Sequence, residues 1–134
     1  MRPFIDSNIL VYAFSGDGRR DRAMMVAAQG GVISAQTLNE VTNVLRRKLR
    51  LDWPEIEAAL RTIRDHFDEI VPLTAATHAI AVPIARDHGL AFYDALIVAA
   101  ALEAGCDILF SEDLQDGRTF GDLAIRNPFR DHRV

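Results

Sequence analysis

The sequence predicts an α/β protein: a three-layer α/β/α fold with a short central parallel sheet. Two observations carry this. Short apolar runs alternate with segments of helical periodicity from one end of the chain to the other, and strands separated by helices imply crossover connections and parallel pairing. Several helical segments also stop at glycine, at Gly30-Gly31, Gly89 and Gly105, where a residue free to adopt positive φ closes a helix. The chain has 134 residues, 49% of them hydrophobic. That suits one domain over residues 1–134, able to bury about two-thirds of its unfolded surface.

The elements follow in order. Pro3-Phe4-Ile5 reads as a strand leading to Asp6, and Ile9 to Phe14 as a short helical turn. Asp21 to Gln29 carries Ala and Met at helical spacing. Val32-Ile33 is a second strand. Ala35 to Arg50 is helical, with Leu38, Val41, Leu45 and Leu49 on one stripe. Asp52-Trp53-Pro54-Glu55 has the form of a helix start, with Asp52 and Glu55 spaced as a capping box and Pro54 in the first turn. Ile56, Ala59, Leu60, Ile63 and Phe67 then make an apolar face. Ile70-Val71 is a third strand. Thr74 to His88 is a helix that Pro83 is expected to kink or end early. Tyr93 to Ala104 is almost wholly apolar and should be buried on several sides. Ile108-Leu109-Phe110 is a fourth strand and Leu123-Ala124-Ile125 a fifth.

Composition narrows the function. The net charge is −4, which by itself speaks against a broad basic surface for nucleic acid. The charge is uneven, however: residues 1–51 are net +4 and residues 52–134 net −8. Fourteen arginines accompany one lysine, Lys48. The single Cys106 excludes an internal disulfide and any cysteine-based zinc cluster. No apolar run reaches the roughly 18 residues of a membrane span. Met1 to Ile5 leads straight into polar Asp6-Ser7-Asn8, unlike a signal peptide, so the expected setting is a reducing cytoplasm.

Ligands of open α/β sheets bind beyond the carboxyl ends of the strands. Asp6 follows the first strand there, and Ser111-Glu112-Asp113 follows the fourth. Glu40 lies in a helix beside its apolar stripe, and Asp94 opens the apolar helix. Each acid has a plainer reading. Asp6 and Asp94 could cap helices, Glu40 could pair with Arg47, and Ser111 to Asp113 could be a capped loop. Jointly these readings weaken, because four acids at one sheet edge repel one another. A hard cation held by oxygen ligands, Mg²⁺ or Mn²⁺, would offset that repulsion.

At these residues the chain resembles the PIN domain family, specifically VapC-type toxins. The resemblance lies in Phe4-Ile5-Asp6-Ser7-Asn8-Ile9-Leu10-Val11-Tyr12, in Leu38-Asn39-Glu40-Val41, in Tyr93-Asp94-Ala95-Leu96-Ile97-Val98-Ala99-Ala100-Ala101 and in Leu109-Phe110-Ser111-Glu112-Asp113. It covers nearly the whole chain and implies a PIN-like fold and a Mg²⁺- or Mn²⁺-dependent ribonuclease. Asp6, Glu40, Asp94 and Asp113 would be the catalytic and metal-holding acids, with Asn8 and Ser111 as polar supports. Glu112 and Asp116 stand near the fourth acid; Asp116 could serve as an outer or water-mediated ligand, and Glu112 could point away. The resemblance also implies an RNA substrate cut to leave a 5′-phosphate and a 3′-hydroxyl, a cognate antitoxin protein, and a homodimer.

Metal-assisted hydrolysis needs no histidine or lysine base, which agrees with the absence of both from these segments. His66, His78, His88 and His132 read as structural or exposed. Arg46, Arg47, Lys48 and Arg50 form the densest basic cluster. They could complement a helix dipole or bind phosphate; Arg47 and Lys48 are the RNA-binding candidates. Arg19, Arg20 and Arg22 form a second group. A phosphoryl-accepting receiver would need a late lysine, and a haloacid-dehalogenase-like phosphatase an acid at Asn8. The remaining rival is a catalytically silent PIN-like module that only binds RNA or protein.

Overall fold

The computed structural model describes residues 1–130; His132 lies outside them. The elements run β1 (Pro3–Ile5), α1 (Ser7–Ala13), α2 (Arg20–Ala28), β2 (Val32–Ser34), α3 (Ala35–Arg47), α4 (Trp53–His66), β3 (Glu69–Val71), α5 (Ala75–His88), α6 (Phe92–Glu103), β4 (Ile108–Phe110), β5 (Thr119–Phe120) and β6 (Leu123–Arg126). The sheet order is β3-β2-β1-β4-β6-β5. Every pairing is parallel except that of β5 with β6. The expected α/β/α architecture is therefore present, and the sheet is mostly rather than wholly parallel. The two-residue β5 is too short to leave an alternating pattern.

Alternation along the strands builds the three layers. Ile5, Ile33 and Phe110 face a core with α1, α2, α3 and α4. Their neighbours Phe4, Val32 and Leu109 face a second core with α6 and Ile125, and α5 packs on α6 through Ala81, Ala95, Leu96 and Ala99. Helix α6 is buried at every position from Ala95 to Ala101, as its apolar sequence predicts. Among the described residues, no helix is long and apolar enough to cross a membrane.

Local signals explain the helix starts. Asp52 accepts the Glu55 N–H at 2.9 Å, and Glu55 accepts the Asp52 N–H at 3.2 Å, so the predicted capping box is formed. Ser34 and Thr37 make another at α3, and Thr74 and Thr77 a third at α5. Between α2 and β2, Gly31 has φ +126°, and a Cβ there would come within 2.5 Å of the Pro3 carbonyl oxygen. Only glycine lets β2 lie this close to β1.

Three expectations need correction. Helix α5 runs on past Pro83 to His88; packing of Ala81, Ile84 and Ala85 on α6 holds the turns on both sides of the proline in one helix. Helix α3 ends at Arg47 rather than Arg50. Arg50 takes a left-handed φ of 55°, and the Leu51 N–H returns to the Leu45 carbonyl at 3.1 Å, a helix stop made without glycine. Leu49 consequently leaves the buried stripe and is exposed. Finally, Asp94 is not a cap: Ala91 occupies that position with no side-chain cap bond, and Asp94 sits in the first turn of α6.

Candidate active site

Strand order reverses at β1, whose neighbours are β2 and β4. This is the crevice where open sheets bind ligands. Asp6 emerges there from β1, and its backbone N–H donates to the Phe110 carbonyl at the end of β4 at 3.0 Å. Its side chain is only 4% exposed. Oδ1 accepts the Ser7 N–H at 2.7 Å and caps α1, so the capping and site readings of Asp6 coexist. Oδ2 accepts the Ser111 hydroxyl at 2.7 Å and the Asn8 amide at 3.2 Å.

Asn8 links the two strand ends. Its Nδ2 also donates to Asp113 Oδ2 at 3.1 Å, and its Oδ1 accepts the Glu112 N–H at 3.2 Å. Ser111 is fully buried and accepts the Asp113 N–H at 3.2 Å. Glu40 approaches from the second turn of α3. It is half-buried, with Gln36 Nε2 donating to its Oε1 at 3.5 Å. Asp94 approaches from α6.

The four acids act on one another electrostatically. Burial pushes Asp6 up to about 6; the Ser111 and Ser7 hydrogen bonds partly oppose this, and Asp113 and Asp94 add to it. Glu40 is pushed up to about 7, first by burial and then by Asp6. Asp94 is raised by burial and by Asp113. All the donors are oxygens, the chemistry that suits a hard divalent cation, and a cation would offset both the burial and the mutual repulsion of these acids. Among the described residues, however, no three of the His, Cys, Asp and Glu side chains close into a ready-made cation cage. The residues thus fit such an ion by chemistry and charge, in an open arrangement.

The neighbouring candidates separate. Asp116 is engaged at the end of β6, where it accepts the Asn127 N–H at 2.7 Å. Glu112 turns toward Tyr12, accepting its hydroxyl at 3.2 Å, and toward Arg19 Nε at 3.5 Å. Glu40 and Arg47 form no ion pair, and Arg47 is exposed. Arg46 donates to the Leu51 carbonyl at 3.2 Å and lies 5.1 Å from the Trp53 ring centre. Lys48 lines a cavity of about 570 Å³ together with Asn8, Glu40 and Asp113. The described histidines have structural contacts: His66 Nε2 lies 2.6 Å from the Ala27 carbonyl, and His78 and His88 lie against the Phe92 and Phe120 rings.

Two features escape the sequence reading. Gln36, buried, donates to both Glu40 and the Tyr93 carbonyl (3.2 Å), bridging α3 to α6 beside Asp94. Its position four residues before Glu40, hence on the same face, is the one signal that could have found it. The Tyr12–Arg19–Glu112 cluster joins residues far apart in sequence and left no local signal.

A family model of the PIN domain matches residues 4–118, and the chain belongs to the PIN domain family. Solved structures share its fold. A toxin–antitoxin complex from Klebsiella pneumoniae is 20% identical, covering 96% of this chain and 99% of that one at a TM-score of 0.74. VapC20 of Mycobacterium tuberculosis, a sarcin-ricin loop cleaving toxin, is 23% identical over 83% of this chain and 91% of that one, at 0.68. VapBC2 of Rickettsia felis, bound to a DNA fragment from their promoter, is 16% identical over 95% and 98%, at 0.67. A comparison with curated protein sequences gives no match.

Proposed function

We propose that the chain is an endoribonuclease that hydrolyses RNA phosphodiester bonds, and that it is the toxin of a toxin–antitoxin pair. The observation that carries this reading is the convergence of Asp6, Glu40, Asp94 and Asp113 at the β1/β4 crevice, with Asp6 and Glu40 raised to about 6 and 7. Membership in the PIN domain family supports it. So does fold likeness to a sarcin-ricin loop cleaving toxin and to a toxin–antitoxin complex. That likeness also favours an antitoxin partner.

These four acids would hold Mg²⁺ or Mn²⁺. A bound divalent ion supplies a low-pKa water and stabilises charge on the phosphodiester oxygens. The chain's own residues prepare the place. Ser7, Ser111 and Asn8 fix both oxygens of Asp6, and Asn8 holds Asp113 beside it. Gln36 orients Glu40 Oε1.

The test is cleavage of RNA in Mg²⁺, with an EDTA control, by the wild type and by Asp94→Asn. Cleavage that EDTA and the substitution both abolish is expected. Equal cutting by the variant would refute the site assignment. The second reading, a silent PIN-like module, draws on the open arrangement of the acids; it predicts RNA or protein binding with no cleavage under any metal.

A further inference from the structure

We propose that the cavity beside the acids is a nucleotide subsite, which seats one nucleoside of the RNA next to the bond being cut and holds the adjoining phosphate with Lys48. This rests on the ribonuclease reading above and extends it to the residues that choose the substrate.

The cavity, about 570 Å³, falls within the roughly 300–1,000 Å³ of small-ligand pockets. Its lining has an order. Glu40, Val44 and Lys48 all line it from α3 and its cap, at i, i+4 and i+8 on one helical face, so they spread over about 12 Å of helix axis. At one end Asn8, Glu40 and Asp113 belong to the candidate catalytic edge. At the other is Lys48, exposed. Val44 lies between them on the helix, and Val11, Leu49 and the Tyr12 ring add apolar wall to a lining that also includes Ser15 and Asp17. Acids, apolar slot and cation follow in the order in which an RNA strand presents a scissile phosphodiester, a nucleoside and the next phosphate.

The slot is also preformed. The Tyr12 hydroxyl is held by Glu112, the Arg19 guanidinium lies 5.1 Å from its ring centre, and Phe129 packs edge-on at 5.2 Å. A ring already fixed costs little ordering entropy when a base packs on it. Asp17, also in the lining, pairs with Arg19, which it shares with Glu112. Leu49 reaches the slot because α3 stops early at the left-handed Arg50.

The test titrates methyl-labelled protein with AMP, GMP, CMP and UMP in EDTA, so the readout depends on neither metal nor cleavage. At least one nucleotide should shift the Val11, Val44 and Leu49 methyl signals saturably. Val44→Phe and, separately, exposed Leu49→Trp should remove those shifts while the amide spectrum reports an intact fold. Lys48→Gln should weaken the monophosphate severalfold and leave the uncharged nucleoside unchanged. No saturable shift with any of the four overturns the proposal, as does an arginine-bearing peptide that occupies the slot when nucleotides do not. Equal weakening of nucleoside and monophosphate by Lys48→Gln overturns the phosphate role. RNA cut in Mg²⁺ without nucleotide seating would refute the subsite alone. Seating without cutting would support the subsite and refute the ribonuclease reading.

Discussion

At the amino-terminal edge of the sheet, Arg2 donates from its backbone and from two side-chain nitrogens. Its backbone N–H meets Asp107 Oδ1 at 2.8 Å, its Nε the Ala104 carbonyl at 2.7 Å, and its guanidinium Glu69 at 2.5 Å. At the carboxyl edge, Asp94 joins Asp6, Glu40 and Asp113, and the last three have amides and hydroxyls as their neutral partners. The first edge satisfies its charges in the way that serves a surface fold. The second buries carboxylates close to one another, and burial first, then repulsion, raises the proton affinity of Asp6, Glu40 and Asp94, a pattern that clusters at functional sites. The contrast separates residues that hold the sheet from the residues proposed to act.

The sharpest way to break that contrast is to neutralise one acid. Asp6→Asn and Asp94→Asn should each lower Mg²⁺-dependent RNA cleavage by ~10²-fold or more, the scale on which a preorganised charge-stabilising group acts. Circular dichroism should show both variants folded. Removing a partner of Asp6 should cost less: Ser111→Ala is expected to reduce the cleavage rate by about 10–100-fold, measured at saturating metal.

The pH dependence of stability sharpens the comparison. Asp6 and Glu40 are raised in the folded protein, so between about pH 4 and 7 the folded state binds more protons than the unfolded one. Their contribution is therefore most favourable at low pH and is lost as pH rises through 6 and 7. For buried Asp6, a shift from 3.8 to about 6 amounts to about 3 kcal/mol. In EDTA, Asp6→Asn should thus gain stability over wild type as pH rises across this window, read from urea midpoints. A difference that stays constant with pH would refute the raised proton affinity of Asp6 in the folded protein. The smallest effect belongs to the other edge: Arg2→Gln should lower the melting temperature slightly, as exposed ion pairs contribute little, and leave cleavage untouched.

Much of this organisation was legible in the sequence because its signals are local. Asp52 and Glu55 announced their capping box, Gly89 closed α5, and apolar runs marked the strands that deliver Asp6 and Ser111. What stayed hidden depended on tertiary context. Pro83 is accommodated because α6 packs across it. Leu49 left its stripe because Arg50 turned left-handed. Gln36 gained its role only when α6 brought the Tyr93 carbonyl within reach. The resemblance pointed to all four acids, but only the folded chain shows Asn8 tying Asp6 to Asp113 and Glu112 turned to Tyr12.

The central claim is that the crowded acids form one divalent-cation site. A ligand that binds only the folded protein raises its melting temperature, so a Mn²⁺ titration followed by thermal unfolding tests the claim directly. The account predicts a saturable rise for wild type that Asp6→Asn and Asp94→Asn both lose. A flat titration for wild type, or an equal rise in all three proteins, would contradict it.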